Sequence, residues 1–338
     1  MKASFKNLKT KNNINYMIIV VAWLIMFAMD STGNLKNGTQ AIIVTVGINI
    51  VLAVSLNLLV GFLGELTLGH AGFMCVGAFI GKYISMNMTG VPTAVSFTIA
   101  LLVGGCLAAV FGLIIGLPTM RLRGDYLAIV TLAFGEIVRN IILNMPMFGG
   151  ALGLNANTKV TNYTIVCIAI LVTVAVIQNL VNSRHGRAIR AIRDNDIAAR
   201  SVGINVTYYK LVAFVVAAFF AGIAGVLYSH SVTSLASSAF SYNYSIEILV
   251  FVVLGGMGSI RGSMVAAAII TYIPIAFGFL QDYRLLLYSI VLILMMLANA
   301  SPKFQAVYSK YQKIVKDFMF DIWFKISHKL KKDEGEDE

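Results

Sequence analysis

Asp194-Asn195-Asp196-Ile197-Ala198-Ala199-Arg200-Ser201-Val202-Gly203 sits inside a basic segment, Asn182 to Lys210, that also carries Arg184, Arg187, Arg190 and Arg193 and separates two apolar stretches, 163–181 and 211–229. Asp194 or Asn195 can cap a helix by accepting from its first free N–H groups, and Gly203 can end it about two turns later in the left-handed conformation that glycine tolerates. The expectation is a small helix, too short to hold without tertiary contacts, that presents Ala198 and Ala199 as a narrow patch another protein can approach closely. Taken without its surroundings, the same segment is an ordinary basic loop that orients the spans beside it. Either way it is a surface connection between two bilayer-crossing helices, and that decides the class of fold.

The whole chain is 58% apolar and only 12% charged, and repeated long apolar runs need lipid. The expected fold is an all-α polytopic membrane protein with about ten spans, near 16–29, 40–60, 66–86, 94–117, 126–145, 163–181, 211–229, 245–260, 263–280 and 285–299. About 20 helical residues cross a hydrocarbon core, so the shorter runs must tilt, break or recruit their flanks. A net charge of +11 would suit nucleic acid, but the basic residues gather at the ends of apolar runs, where membrane orientation puts them. No nucleic-acid partner is expected. With the N-terminus inside, most of the 26 Lys and Arg fall in cytoplasmic segments, the exceptions being Lys36, Lys82, Lys159 and Arg284 near the outside and Arg139 within a span. Both termini are then cytoplasmic. Lys2, Lys6, Lys9 and Lys11 ahead of 16–29 imitate a signal peptide, but no small-residue cleavage site follows, so this reads as a retained first span. Cys75, Cys106 and Cys167 are odd in number and lack paired spacing, so they are expected to pack rather than bridge or bind metal.

Two sets of five spans run in opposite directions, which is inverted-repeat geometry. The third span of the first set carries Gly61, Gly64, Gly69, Gly72, Gly77 and Gly81, and the third of the second set ends in Gly255-Gly256-Met257-Gly258-Ser259-Ile260-Arg261-Gly262. Glycine-interrupted segments at corresponding positions point to a transport pathway, with Gly69, Gly72, Gly255 and Gly256 as candidates. The competing role is close helix packing, for which Gly77/Gly81, Gly112/Gly116 and Gly258/Gly262 have the four-residue spacing. His70 either lines the pathway or bonds backbone freed by the break. An unpaired charge near mid-bilayer costs about 2.5 to 3.5 kcal/mol, and Glu136 and Arg139, three apart on one face, can pair. That pair fixes helix packing or meets a substrate's charged group. Glu65 and Glu247 fall near span ends, where water reaches them.

Several activities are excluded by what the chain lacks. There is no G-x-x-x-x-G-K-[ST] phosphate loop, no H-E-x-x-H metal pair and no G-x-S-x-G elbow. Gly256-Met257-Gly258 starts like a dinucleotide fingerprint, but Arg261 takes the third glycine's place. No catalytic residue and no metal site are expected. An ion- or proton-coupled transporter would need an intramembrane carboxylate, for which Glu136 is the candidate. After Pro302 apolar residues recur near helical spacing among lysines, the pattern of an interfacial amphipathic helix, and residues 331–338 form an acidic tail expected to be disordered. The chain thus divides into a membrane domain, 1–302, and a cytoplasmic helix and tail, 303–338.

Four stretches together resemble the LivM-type permease subunit of branched-chain amino acid ABC importers. They are Leu56-Asn57-Leu58-Leu59-Val60-Gly61 running into Leu66-Thr67-Leu68-Gly69-His70-Ala71-Gly72; Arg121-Leu122-Arg123-Gly124-Asp125-Tyr126-Leu127-Ala128-Ile129-Val130-Thr131-Leu132; Gly186-Arg187-Ala188-Ile189-Arg190-Ala191-Ile192-Arg193-Asp194-Asn195; and Val253-Leu254-Gly255-Gly256-Met257-Gly258-Ser259. The resemblance covers about residues 40 to 300 and adds Asn57 to the pathway candidates. It implies a pore shared with a LivH-type permease, two cytoplasmic ATPases that hold ATP and Mg, and an extracytoplasmic binding protein; this chain hydrolyses nothing and binds no cofactor. It also implies leucine, isoleucine or valine as cargo, with urea and short amides among the family's substrates. Ala198-Ala199 followed by Gly203 matches the spacing of the E-A-A-x-x-x-G coupling motif of importer permeases, with Ile197 in place of the glutamate. Arg187, Arg190, Arg193, Asp194, Asn195, Asp196, Ala198, Ala199, Arg200 and Gly203 are therefore the expected coupling residues. The position of the loop, between the sixth and seventh spans, is similar to that in ten-helix permeases of the vitamin B12 importer type.

Overall fold

A bilayer offers no water to free N–H and C=O groups, so a spanning chain satisfies its backbone within helices. The computed structural model describes residues 2–32, 37–88, 90–120, 122, 124–155, 160–276, 283, 286–290 and 293–294. Its α-helices are α1 (Lys2–Ser31), α2 (Asn37–Asn57), α3 (His70–Asn87), α4 (Thr93–Thr119), α5 (Asp125–Asn144), α6 (Tyr163–Asn182), α7 (Arg184–Asp194), α8 (Asp196–Ser201), α9 (Val206–Ser229), α10 (Tyr242–Gly255) and α11 (Ile260–Ala276). The expected spans up to residue 276 fall on α1 to α6 and α9 to α11. Gly38–Leu63, Thr93–Thr119, Asp125–Asn144, Tyr163–Asn182 and Val206–Ser229 are each long and apolar enough to cross a membrane, and Asn15–Ser31, Tyr242–Gly255 and Ile260–Ile275 are shorter apolar helices. Met1–Arg284 forms one compact unit and Leu285–Glu338 a second. Of the second, 286–290 and 293–294 are helical; the amphipathic helix and acidic tail expected over 303–338 lie outside the described residues.

At the centre lies α2, whose Val51, Leu52, Ala53, Val54 and Leu56 are fully buried. Its polar residues join it to neighbours: Asn49 donates to Thr271 Oγ1 at 2.9 Å and accepts from the Tyr244 hydroxyl at 2.6 Å. Beside it, α9 packs along both α3 and α4. Lipid tails are as apolar as leucine, so close packing between such helices relies on small residues that let backbones approach. A Cβ on Gly104 would stand 3.0 Å from Gly77 O, one on Gly222 2.9 Å from Gly104 O, and one on Gly225 2.8 Å from Ala78 N. Gly77/Gly81 and Gly112/Gly116 thus serve the packing role, facing Gly222, Val226, Ala218 and Leu211.

The buried ammonium of Lys82 donates to Ser229 O at 2.7 Å and Val232 O at 2.9 Å. A cation there satisfies the open carbonyls at the C-terminus of α9 and opposes its dipole. Nearby, β1 (Leu154–Asn155) and β2 (Ser234–Leu235) form a two-stranded antiparallel ribbon, Leu154 opposite Leu235. It ties the connection after α5 to the connection after α9. Cys75 and Cys167 are buried, Cys106 is exposed, and all three are free thiols.

Candidate functional site

The ladder of α2 gives way at Leu58 to a π-helix, Leu58–Leu63, all of it buried, a form that occurs mostly as short interruptions of α-helices, frequently at functional sites. Gly64 then turns with φ +80°, residues 64–69 run irregularly, and α3 is regular from His70. The interruption expected inside the third span therefore lies ahead of it. Gly61 is placed face to face with Gly258, whose Cα would stand 2.9 Å from a Cβ on Gly61. Asn57 holds the two segments together: its side chain donates to Ser263 Oγ and accepts from Gly258 N–H, each at 2.9 Å. Between α10 and α11, Gly256 (φ +88°) and Gly258 (φ +82°) make the turn, and Gly255 packs on the backbone of Gly262. Sequence placed the two glycine-rich segments at corresponding positions of opposed halves; in the structure they are direct neighbours and form a single junction with Asn57.

Gly69 and Gly72 do not belong to that junction. They set the approach of α3 to α5: a Cβ on Gly69 would stand 2.5 Å from Thr131 O, and one on Gly72 2.7 Å from Gly135 Cα. His70 is fully buried with Nε2 2.8 Å from Ser55 Oγ, so its bond is to the side chain of α2 rather than to freed backbone. One residue beyond Gly135, Glu136 accepts from Arg139 Nη2 at 2.7 Å and from Tyr242 N–H at 2.8 Å. Tyr242 opens α10, so the carboxylate meets the positive end of that helix. A carboxylate already engaged by a guanidinium and by a helix N-terminus is fixed in place by two partners, which suits a packing bracket.

The basic segment is more structured than its sequence suggests. Ser183 caps α7, accepting from Gly186 N–H at 3.3 Å, and α7 buries Gly186, Ile189 and Ile192 on one face. Asn195 caps α8, its Oδ1 accepting from Ile197 and Ala198 N–H at 3.0 Å each. Asp194, the alternative cap, instead ends α7 and pairs with Arg193 at 3.1 Å. Gly203 (φ +83°) closes α8, with Gly203 N–H on Arg200 O at 3.0 Å and Ile204 N–H on Ala199 O at 3.1 Å. These two bonds, around a left-handed glycine, are the Schellman stop. Ala199 is only 3% exposed, whereas Ile197 is 69% and Val202 75% exposed. The patch expected from Ala198 and Ala199 is therefore corrected: the outer face is Ile197, Ala198 and Val202, and Ala199 seats α8 on its own chain.

The arginines divide in the same way. Arg187 and Arg200 are exposed, and Asp196 lies 3.9 Å from Arg200 one turn away. Arg190 turns back to Val181 O at 3.0 Å, while Arg193 reaches Gly61 O at 3.1 Å. Lys210, the fifth residue of α9, is ion-paired with Glu65 of the 64–69 connection, and both side chains are largely buried. Sequence reasoning assigned no partner to Lys210, Lys82 or Arg193. The available signal was the rule that a charge among apolar spans needs a partner, but that rule does not say which carbonyl or carboxylate it finds.

A bundle of apolar helices around a buried, interrupted central helix, with a capped basic segment held against the interruption, defines a multi-pass membrane permease. A family model described as "Branched-chain amino acid transport system / permease component" matches residues 38–298, and the chain belongs to this family of ABC permeases. Over 316 residues it is 31% identical to the high-affinity branched-chain amino acid transport system permease protein LivM of Escherichia coli (strain K12), covering 83% of this chain and 71% of that one. It is 26% identical over 268 residues to the probable branched-chain amino acid transport permease protein LivM of Methanocaldococcus jannaschii, covering 67% and 77%. The ribose import permease protein RbsC of Haemophilus influenzae is 24% identical over 310 residues, covering 84% and 90%. No solved structure matches the chain.

Proposed function

We propose that this chain is one permease subunit of an ATP-driven importer that carries leucine, isoleucine or valine across the cell membrane. The observation that carries this reading is the 31% identity to a branched-chain amino acid permease over 83% of the chain. A LivH-type permease completes the pore, two ABC ATPases hold ATP and Mg on the cytoplasmic side with both termini of this chain, and an extracytoplasmic binding protein delivers the amino acid. Ile197, Ala198 and Val202, rimmed by Arg187 and Arg200, form the face that meets an ATPase; a six-residue helix capped at both ends is stiff enough to transmit its displacement. Asn57, Gly255 and Gly256 at the junction, and the partly exposed Glu136 of α5, border the route taken by the cargo.

A sugar or nucleoside cargo is the second reading, favoured by the likeness to RbsC and to a nucleoside ABC transporter permease protein of Lactococcus lactis. Coupling to an ion gradient is disfavoured by Glu136, which is held by two partners. The test is uptake of labelled leucine, ribose and uridine by vesicles containing this chain assembled with its partner permease, ATPases and binding protein. Leucine uptake that needs ATP and survives an uncoupler is the expected result. Uptake of ribose or uridine alone would move the cargo, and uptake driven by a proton gradient without ATP would overturn the importer.

A further inference from the structure

We infer that Arg193 is the positioning residue that carries movement of α7 and α8 into the broken core, acting inward on this chain rather than outward on an ATPase. Three separated elements meet at its guanidinium. Nη1 donates to Gly61 O at 3.1 Å, an acceptor that lies within the π-helical interruption. Gly258, from the turn between α10 and α11, has room for a Cβ only 3.5 Å from the same Nη1. Nε and Nη2 donate to Asp194 Oδ1 at 3.2 and 3.1 Å, which fixes the fork at the end of α7. The aliphatic stem lies over Gly64, where a Cβ would stand 2.6 Å from Arg193 Cγ.

An arginine suits this task because its planar fork can hold two acceptors at once with little loss of side-chain freedom. Gly61 and Gly64 suit it because no side chain intervenes between the guanidinium and the backbone it holds. Ile189 and Ile192 bury the inner face of α7, so α7 and Arg193 move together. Asn195 and Gly203 fix α8 to the same unit. Displacing the pair therefore pulls on the interruption of α2 and, through Asn57 and Gly258, on α10 and α11. Among the described residues, Arg187 and Arg200 make no such inward contact, and they remain available to the outer face.

This inference rests on the importer reading, and its test separates the two. In the reconstituted complex, Arg193→Met keeps the stem over Gly64 and removes every side-chain donor; Arg193→Lys restores a charged donor group without the planar fork. The ATPases should stay bound to Arg193→Met and hydrolyse ATP within about twofold of wild type, while leucine carried per ATP falls about tenfold, the size of one charge-assisted hydrogen bond. Arg193→Lys should recover part of that loss, which a merely structural defect would not allow. Asp194→Ala, at an exposed position, should lower leucine per ATP severalfold without unfolding the chain, and it decides the matter if Arg193→Met does not insert. Loss of the ATPases from Arg193→Met would place Arg193 on the partner's surface and overturn the inference, as would unchanged leucine per ATP in the variant that folds. A wild-type complex whose uptake ignores ATP would instead refute the importer reading.

Discussion

Gly72→Ala adds a single methyl where α3 crosses α5. The new Cβ would stand 2.7 Å from Gly135 Cα and 3.5 Å from Gly135 C, whereas carbon atoms rest about 3.5–4.0 Å apart, so the two helices must part locally by about 1 Å. Both neighbours are backbone, and no side chain can swing aside. Overpacking of this kind costs about 1–3 kcal/mol. The strain falls next to Glu136, which pairs with Arg139 on α5 itself and joins α5 to the first N–H of α10, so part of it is relieved by loosening that link. The expected result is a thermal midpoint in detergent lowered by a few degrees, at most about 2–4 °C per kcal/mol because the shift shrinks as chains lengthen, with uptake reduced severalfold. Gly38→Ala is the control, because a Cβ there meets nothing within 4 Å, and it should behave as wild type. Gly69→Leu, which must also clear Thr131 O, should abolish uptake while the complex still assembles. Wild-type midpoint and uptake in Gly72→Ala would refute the close seating of α5 on α3.

Ala198→Trp and Ala199→Trp should differ although the residues are adjacent: the first, on the outer face, blocks ATPase docking at unchanged permease stability, and the second also lowers the permease's own thermal midpoint because Ala199 is buried. Equal midpoints for the two would mean that α8 is not seated as described. Asn195→Ala removes the acceptor of two N–H groups and should cost α8 about 0.5–2 kcal/mol, read as faster amide exchange over 196–201 and weaker coupling, with Asn195→Asp close to wild type. Exchange unchanged by Asn195→Ala would remove the cap from the account.

The spans were legible because a run of about 20 apolar residues has few alternatives in lipid: 163–181 became Tyr163–Asn182, 94–117 became Thr93–Thr119, and 126–145 became Asp125–Asn144. The cap at Asn195 and the stop at Gly203 were legible because both are local chemistry. Helix α7 was not, since its apolar face is only Gly186, Ile189 and Ile192 within a run dominated by arginine, and such a helix owes its existence to the surface it lies on. Ala199 was misjudged for a related reason, because the sequence of a short helix does not say which side is covered. The junction of Asn57, Gly61, Arg193 and Gly258 joins residues 132 and 201 positions apart; each is legible as a special residue, but only the packing of α2 against α10 and α11 makes them neighbours.

The interlocked glycines of α3, α4 and α9 limit the kinds of movement open to this protein. Advancing α9 by one residue along its own helical screw, a rise of about 1.5 Å with a turn of about 100°, would bring Ile223 or Val226 to where Gly222 and Gly225 now admit bare backbone. The three helices therefore travel as one slab. In the importer proposed above, opening and closing would then take place along its margins, where α5 rests on one side and the α2, α10 and α11 group on the other. Transport in this chain is then less a rearrangement of the whole bundle than the rocking of thinner parts against a fixed wall.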